Sequence, residues 1–168
     1  MMKQLSFFDV PEKKKKKYWK IYIDGASRNN PGVSGAGIVI LCDDVPVFEQ
    51  GFFLGVKTNN QAEYLALLLS VFFAQSYIKD GESIHIISDS QLLIKQMQGV
   101  YKVKDATLLQ IKQAAQQFIQ KYHVTFEHVL RAYNTKADEL ANYGIDKKIT
   151  PPKQFSNFIA QHIPVLSV

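Results

Sequence analysis

The chain has 168 residues, 46% of them hydrophobic, with a formal net charge of +5 and one cysteine. That length suits one well-buried domain, and no apolar run approaches the roughly 20 residues that span a bilayer. The opening "MMKQLSFFDVPEKKKKK" places its charges after a short apolar patch, unlike a secretory signal, so a cytoplasmic monomer is expected, and the lone Cys42, in the run "AGIVILC", cannot form an intramolecular disulfide and reads as a packed or strand-end thiol.

The elements follow in chain order. Residues 1–17 form a polar arm, and Lys13 to Lys17 carry the whole excess of positive charge, leaving the remainder neutral. Such a run reads as a solvated segment, with non-specific phosphate binding as a secondary role. "YWKIYID" is a strand by its aromatic and β-branched content; "GAGIVILC" and "VPVFEQGFFLG" follow, separated by "DD", as partners in an antiparallel meander. From Glu63 the apolar positions 64, 65, 67, 68, 71 and 72 recur at helical spacing until "KDGES". "SIHIIS" is a fourth strand, "SQLLIKQMQG" and "ATLLQIKQAAQQFIQKY" are helical, "VTFEHVL" is a fifth strand and "TKADELANYGID" a last helix.

This order predicts an α/β fold: a mixed five-stranded sheet, three antiparallel strands then two parallel ones added beside the first, with helices packed against it. The domain is expected over residues 18–149. Residues 150–168 form a tail whose double proline stops the last helix and whose Phe155, Phe158, Ile159 and Ile163 recur at helical spacing, as in a segment packed on the domain.

Ligand sites in such sheets gather at the carboxyl ends of adjacent parallel strands. Asp24 is expected at the end of the first strand and Asp89 at the end of the fourth, while Glu63 and Asp138 open helices. Each acid also has a purely structural explanation. Asp24 precedes Gly25 as a turn former, Asp89 is placed as a helix N-cap, and Asn60–Glu63 and Thr135–Asp138 both fit capping boxes. Those explanations leave the clustering itself unexplained. Carboxylates brought close raise one another's pKa values, so a cation should compensate. Oxygen-only ligands suit Mg²⁺ or Mn²⁺, which completes its shell with water and phosphate oxygens, and two such ions about 4 Å apart promote in-line hydrolysis of a phosphodiester.

At this point the chain resembles a known family, ribonuclease H of type I. The matching stretches are "DGASRNNPGVSGAG", "TNNQAEYLALL", "SDSQLLIKQMQG" and "HVLRAYNTKADELAN", in the family's order over roughly residues 18–147. The resemblance implies that Asp24, Glu63, Asp89 and Asp138 are the catalytic metal ligands, for two Mg²⁺ (or Mn²⁺) ions with substrate bound. It implies that Asn30, Asn59, Asn60 and Gln91 contact the RNA strand of an RNA–DNA hybrid, where amides can read the 2′-hydroxyl and minor-groove edges. The expected activity is endonucleolytic hydrolysis of that RNA strand, leaving 3′-hydroxyl and 5′-phosphate ends. The alternatives are a nuclease of the same fold acting on double-stranded RNA, or an inactive hybrid-binding adaptor.

The chain departs from many bacterial members in lacking a glycine in "HVLRAYNTKAD", so it resembles the branch without the flexible Gly/His loop. There Arg131 and Asn134 match the "R..N..AD" pattern and are assigned to substrate binding, with His128 as a candidate assisting residue or a structural histidine. The short "GVYKVKDATLL" resembles members lacking the basic protrusion, and Lys102 and Lys104 form its compact basic pair. In the arm, "QLSFF" resembles the pentapeptide with which bacterial repair proteins dock on the β sliding clamp. Gln4, Leu5, Phe7 and Phe8 would be its contacts. Such a tether would raise effective concentration near DNA.

Overall fold

A computed structural model describes residues 14–167. The clamp-like residues Gln4, Leu5, Phe7 and Phe8 lie outside them. The elements are β1 (Trp19–Arg28), β2 (Gly32–Cys42), β3 (Val45–Lys57), α1 (Asn59–Ala74), β4 (Ser83–Ser88), α2 (Gln91–Met97), α3 (Ala106–Ile119), β5 (His123–His128), α4 (Thr135–Lys147) and α5 (Lys153–His162), with 3-10 turns at Arg131–Tyr133 and Pro164–Leu166.

The sheet order is β3-β2-β1-β4-β5. β1–β2 and β2–β3 are antiparallel, and β1–β4 and β4–β5 are parallel, as the element order predicts. Asp43 and Asp44 both take left-handed backbone angles, the geometry of a two-residue hairpin turn whose twist matches the flanking strands. β1 runs further than its apolar stretch, because pairing with β2 continues to Arg28↔Val33. Its parallel pairing with β4, however, stops at Tyr22↔Ile87. Asp24 therefore stands inside β1, two residues past the point where β1 and β4 part, rather than at the strand's end. Asp89 follows the last residue of β4. The two strands open a cleft between these acids.

Two helices pin the sheet from opposite faces. α1 packs on β1 and β2 with α3 behind it, and α4 packs across β1, β2 and β3. A Cβ at Gly25 would collide with the backbone of Ala62 and Glu63, and one at Gly37 with the carbonyl of Ala137. Gly25 pairs with Ala36, so the side-chain direction at Gly37 is the reverse of that at Gly25. Close backbone approach on both faces thus brings Glu63 from one side and Asp138 from the other toward Asp24.

The core lies between the sheet and the α1/α3 layer, built on Ile21, Ile23, Ile38, Ile40, Leu67, Leu68, Ile84 and Ile86. α1 is buried on most of its circumference, as its nearly unbroken apolar run requires. Residues 150–167 pack on the domain: Phe155, Ile159, Ile163 and Leu166 join the core, and Phe155 meets Phe72 edge-on at 5.4 Å. Cys42 is the half-buried last residue of β2. Among the described residues no helix is long and apolar enough to cross a membrane.

Candidate active site

The four acids line one cleft of about 310 Å³, with Arg28, Arg131 and Asn142 on its rim. Asp24, Glu63 and Asp89 each present a carboxylate oxygen within 4.8 Å of the others. Asp138 faces this trio from α4; its Oδ1 lies 3.6 Å from the Arg131 guanidinium and accepts a hydrogen bond from Asn142 Nδ2 at 3.3 Å.

None of the structural explanations accounts for these acids. The N-cap of α1 is Thr58, which forms a reciprocal capping box with Gln61. Asn60 and Glu63 therefore have no capping role, and Glu63 instead accepts from the Gly25 N–H at 3.1 Å. Ser90, not Asp89, caps α2 through its hydroxyl and the Leu93 N–H. At α4 the N-cap position falls on Asn134 with no side-chain cap, so Thr135 and Asp138 form no box. The caps are supplied by neighbours, which leaves the carboxylates free for other work.

Their electrostatics are unfavourable without a cation. Burial pushes the Asp24 carboxyl up to about 8, helped by the charges of Asp89 and Asp138. Glu63 is raised well above the carboxylate range by burial and then by Asp24 and Asp89, only partly offset by the Gly25 N–H. Groups that hold protons so tightly form a cluster that a divalent ion can load by displacing them. An all-oxygen donor set of this kind fits a hard ion such as Mg²⁺ or Mn²⁺.

The expected substrate contacts divide into two groups. Asn30, Asn59 and Asn60 are exposed together where α1 begins, and the Asn30 side chain accepts from the Asn59 N–H at 3.0 Å. Gln91, the first residue of α2, and Arg131, on the cleft rim, are also exposed. Asn134 is not. It is 2% exposed, and its amide donates to the Ile23 carbonyl at 2.8 Å and to Asp89 Oδ1 at 3.1 Å. A side chain so buried orients Asp89 and ties the 3-10 turn to β1; it has no surface for nucleic acid. Its Oδ1 has no partner among the described residues. His128 is exposed at the end of β5, and Lys102 and Lys104 are exposed around buried Val103.

Two residues of the site escaped the sequence reading. Asn142 braces Asp138 through both its carboxylate and its main-chain carbonyl, the latter at 3.1 Å. Arg28 reaches the Asn142 side chain at 3.4 Å and pairs with Asp146 at 2.7 Å. The signal for Asn142 was its position four residues after Asp138, one helical turn on. Arg28 carried no local signal, because α4 reaches it only through tertiary packing.

Comparison with known proteins agrees with this geometry. A family model for RNase H matches residues 16–146. Ribonuclease HI of Halobacterium salinarum is 38% identical over 127 residues, covering 74% of this chain and 63% of that protein. Its crystal structure, an RNase H1, superimposes with a TM-score of 0.73 at 37% identity, covering 77% of this chain and 98% of that one. LC11-RNase H1, solved in complex with an RNA/DNA hybrid, gives a TM-score of 0.73 at 36% identity over 77% of this chain and 97% of that one. The N-terminal RNase H domain of a Mycobacterium tuberculosis protein gives 0.73 at 35%, covering 78% and 95%. The chain spans 63% of the Halobacterium relative and 35% of the mycobacterial proteins it matches. With the family match spanning most of the chain and four acids converging on one cleft, the protein belongs to the ribonuclease H family, type I.

Proposed function

We propose that this protein is a divalent-cation-dependent endonuclease that hydrolyses the RNA strand of RNA–DNA hybrids. The observation that carries the reading is the convergence of Asp24, Glu63 and Asp89 oxygens within 4.8 Å at the point where two parallel strands part. The relative solved with an RNA/DNA hybrid supports the choice of substrate.

Asp24, Glu63, Asp89 and Asp138 would hold the ions, two when substrate is present, with Mg²⁺ the first choice and Mn²⁺ the second. Bound there, such ions lower the cost of deprotonating the attacking water and of charge on the leaving 3′ oxygen. The chain does the rest. Asp24 and Glu63 surrender their protons on loading, and Asn134 keeps the Asp89 carboxylate turned into the cleft. The amides of Asn30, Asn59, Asn60 and Gln91 present donors and acceptors suited to 2′-hydroxyls and minor-groove edges, which distinguishes RNA from DNA. Arg131 and Arg28 place guanidinium groups on the rim, where phosphate would arrive. Arg131 and His128 are the candidates for assisting turnover, and the products carry 3′-hydroxyl and 5′-phosphate ends.

End-labelled hybrid, duplex RNA, duplex DNA and single-stranded RNA incubated with Mg²⁺ or Mn²⁺ test this directly. Internal cuts confined to the RNA strand of the hybrid are expected. Cleavage of duplex RNA instead would establish the same-fold alternative, and no cleavage of any substrate would leave only the adaptor. The arm reading, in which Gln4, Leu5, Phe7 and Phe8 dock on a β sliding clamp, rests on the sequence. It predicts clamp capture that Leu5→Ala and Phe7→Ala abolish; capture unchanged by both substitutions would end it.

A further inference from the structure

A groove of about 470 Å³ runs between the outer edge of β3 and the C-terminal segment, apart from the acidic cleft. Its walls are mostly apolar, with Leu65, Phe155, Ile159 and Leu166 among them. That volume lies within the usual range of small-molecule pockets. Lys57 also lines it, and this lysine is out of place there.

Lysine is almost never buried unless it is paired. Lys57 is 8% exposed, yet among the described residues no carboxylate lies within ion-pair distance of it. Its Nζ donates one hydrogen bond, to the carbonyl of its neighbour Val56 at 3.2 Å. An ammonium group has three donors, so two lack a protein acceptor. Burial lowers the pKa of Lys57, the mark of a charge without compensation.

We propose that the groove binds an alkyl carboxylate, an unbranched apolar chain with one anionic head, and that Lys57 seats the head. The apolar walls match the chain, and the unpaired ammonium matches a single negative charge. A nucleic-acid phosphate would leave those walls uncovered. A peptide would bring backbone amides for which the groove offers few polar partners, chiefly Thr150, Ser156 and Asn157. The proposal is independent of the nuclease reading.

The test is a titration of the isotopically labelled full chain with decanoate, decanol and acetate, each below its aggregation limit, followed through the amide signals of Gly55, Ser156 and Asn157. Decanoate is expected to bind saturably and to shift these signals, with decanol and acetate on the order of tenfold weaker or more, as loss of a charge-assisted hydrogen bond or of the apolar chain implies. Lys57→Met should reduce decanoate to the level of decanol while leaving decanol unchanged. Ala160→Trp, at an exposed position on the groove's lip, should block both ligands without disturbing the fold. Equal binding of decanoate and decanol, or decanoate binding unchanged in Lys57→Met, or shifts that never saturate, would overturn the proposal.

Discussion

Glu63 and Lys57 are six residues apart in the chain, and desolvation pushes both away from their charged forms, yet their surroundings differ in kind. Glu63 is packed against two more carboxylates whose charges make its own ionisation harder, and the Gly25 N–H it accepts offsets this only in part. Among the described residues Lys57 has no ion-pair partner, and burial disfavours its charge. Several repelling acids held in place by glycine contacts and an asparagine brace describe a site built for a compact cation of high charge. A lone ammonium in an apolar groove describes a site for one weakly charged, largely apolar partner.

The largest effect should come from the acids. Glu63→Gln should reduce hybrid cleavage by more than the roughly 10–100-fold that loss of an outer-shell partner costs a metal site. The metal-free protein should become more stable by on the order of 1–2 kcal/mol, because folding no longer has to protonate or desolvate a carboxylate at this position. Activity assays and denaturant unfolding of the same preparation check both halves. A variant that unfolds more readily would show that Glu63 is structural after all.

Asn134→Ala comes next. It frees Asp89 and leaves the buried Ile23 carbonyl without its donor, so activity or cation affinity should fall about 10–100-fold and stability by about 1–3 kcal/mol. If Asn134 touched substrate only, the hybrid KM would rise while stability stayed unchanged.

The third prediction concerns pH. The folded Asp24 carboxyl titrates near 8 against an ordinary value of 3.8, so the folded state binds more protons than the unfolded state between these values. Stability of the metal-free protein is therefore greatest below about pH 4 as far as this group is concerned, and is lost as pH rises through about 8. Denaturant midpoints across that range, with and without Mg²⁺, should diverge as pH rises, because the cation compensates the charge that the proton no longer covers.

Lys57→Met should have a smaller effect, stabilising the chain by on the order of 1 kcal/mol in the absence of ligand by removing a buried charge that has no ion-pair partner among the described residues. His128→Ala should leave stability within about 0.5 kcal/mol, since the side chain is exposed. Its effect on turnover, compared with Arg131→Ala, decides which of the two assists.

The same comparison explains what could be read from the sequence. β4 was legible as "SIHIIS" because turn residues bound a short apolar run, and the sheet order followed from the sequence of strands and helices. The extension of β1 through "GASR" was not, because its pairing is supplied by β2 rather than by its own polar, small residues. The start of α1 lay hidden in "TNN", whose Thr58 cap sits ahead of the apolar stripe. The four acids were legible because each stands in a polar stretch beside an apolar strand or in the first turns of a helix, although Asp24 lies inside β1 rather than at its end. The burial of Asn134 was not, since an asparagine before a helix looks like a cap or a surface contact until β1 and β4 close over it. Lys57 was equally silent: a lysine ending a strand ordinarily extends its head to water, and only the packing of the C-terminal segment encloses it.

Calorimetric titration of Mg²⁺ and Mn²⁺ at neutral pH, in two buffers with different ionisation heats, asks whether the clustered acids form a cation site. Saturable binding is expected, with a heat that depends on the buffer because protons leave Asp24 and Glu63 as the ion enters, and it should be lost in Asp24→Asn. Binding that is absent, or that persists unchanged in Asp24→Asn, would contradict a cation site at these acids.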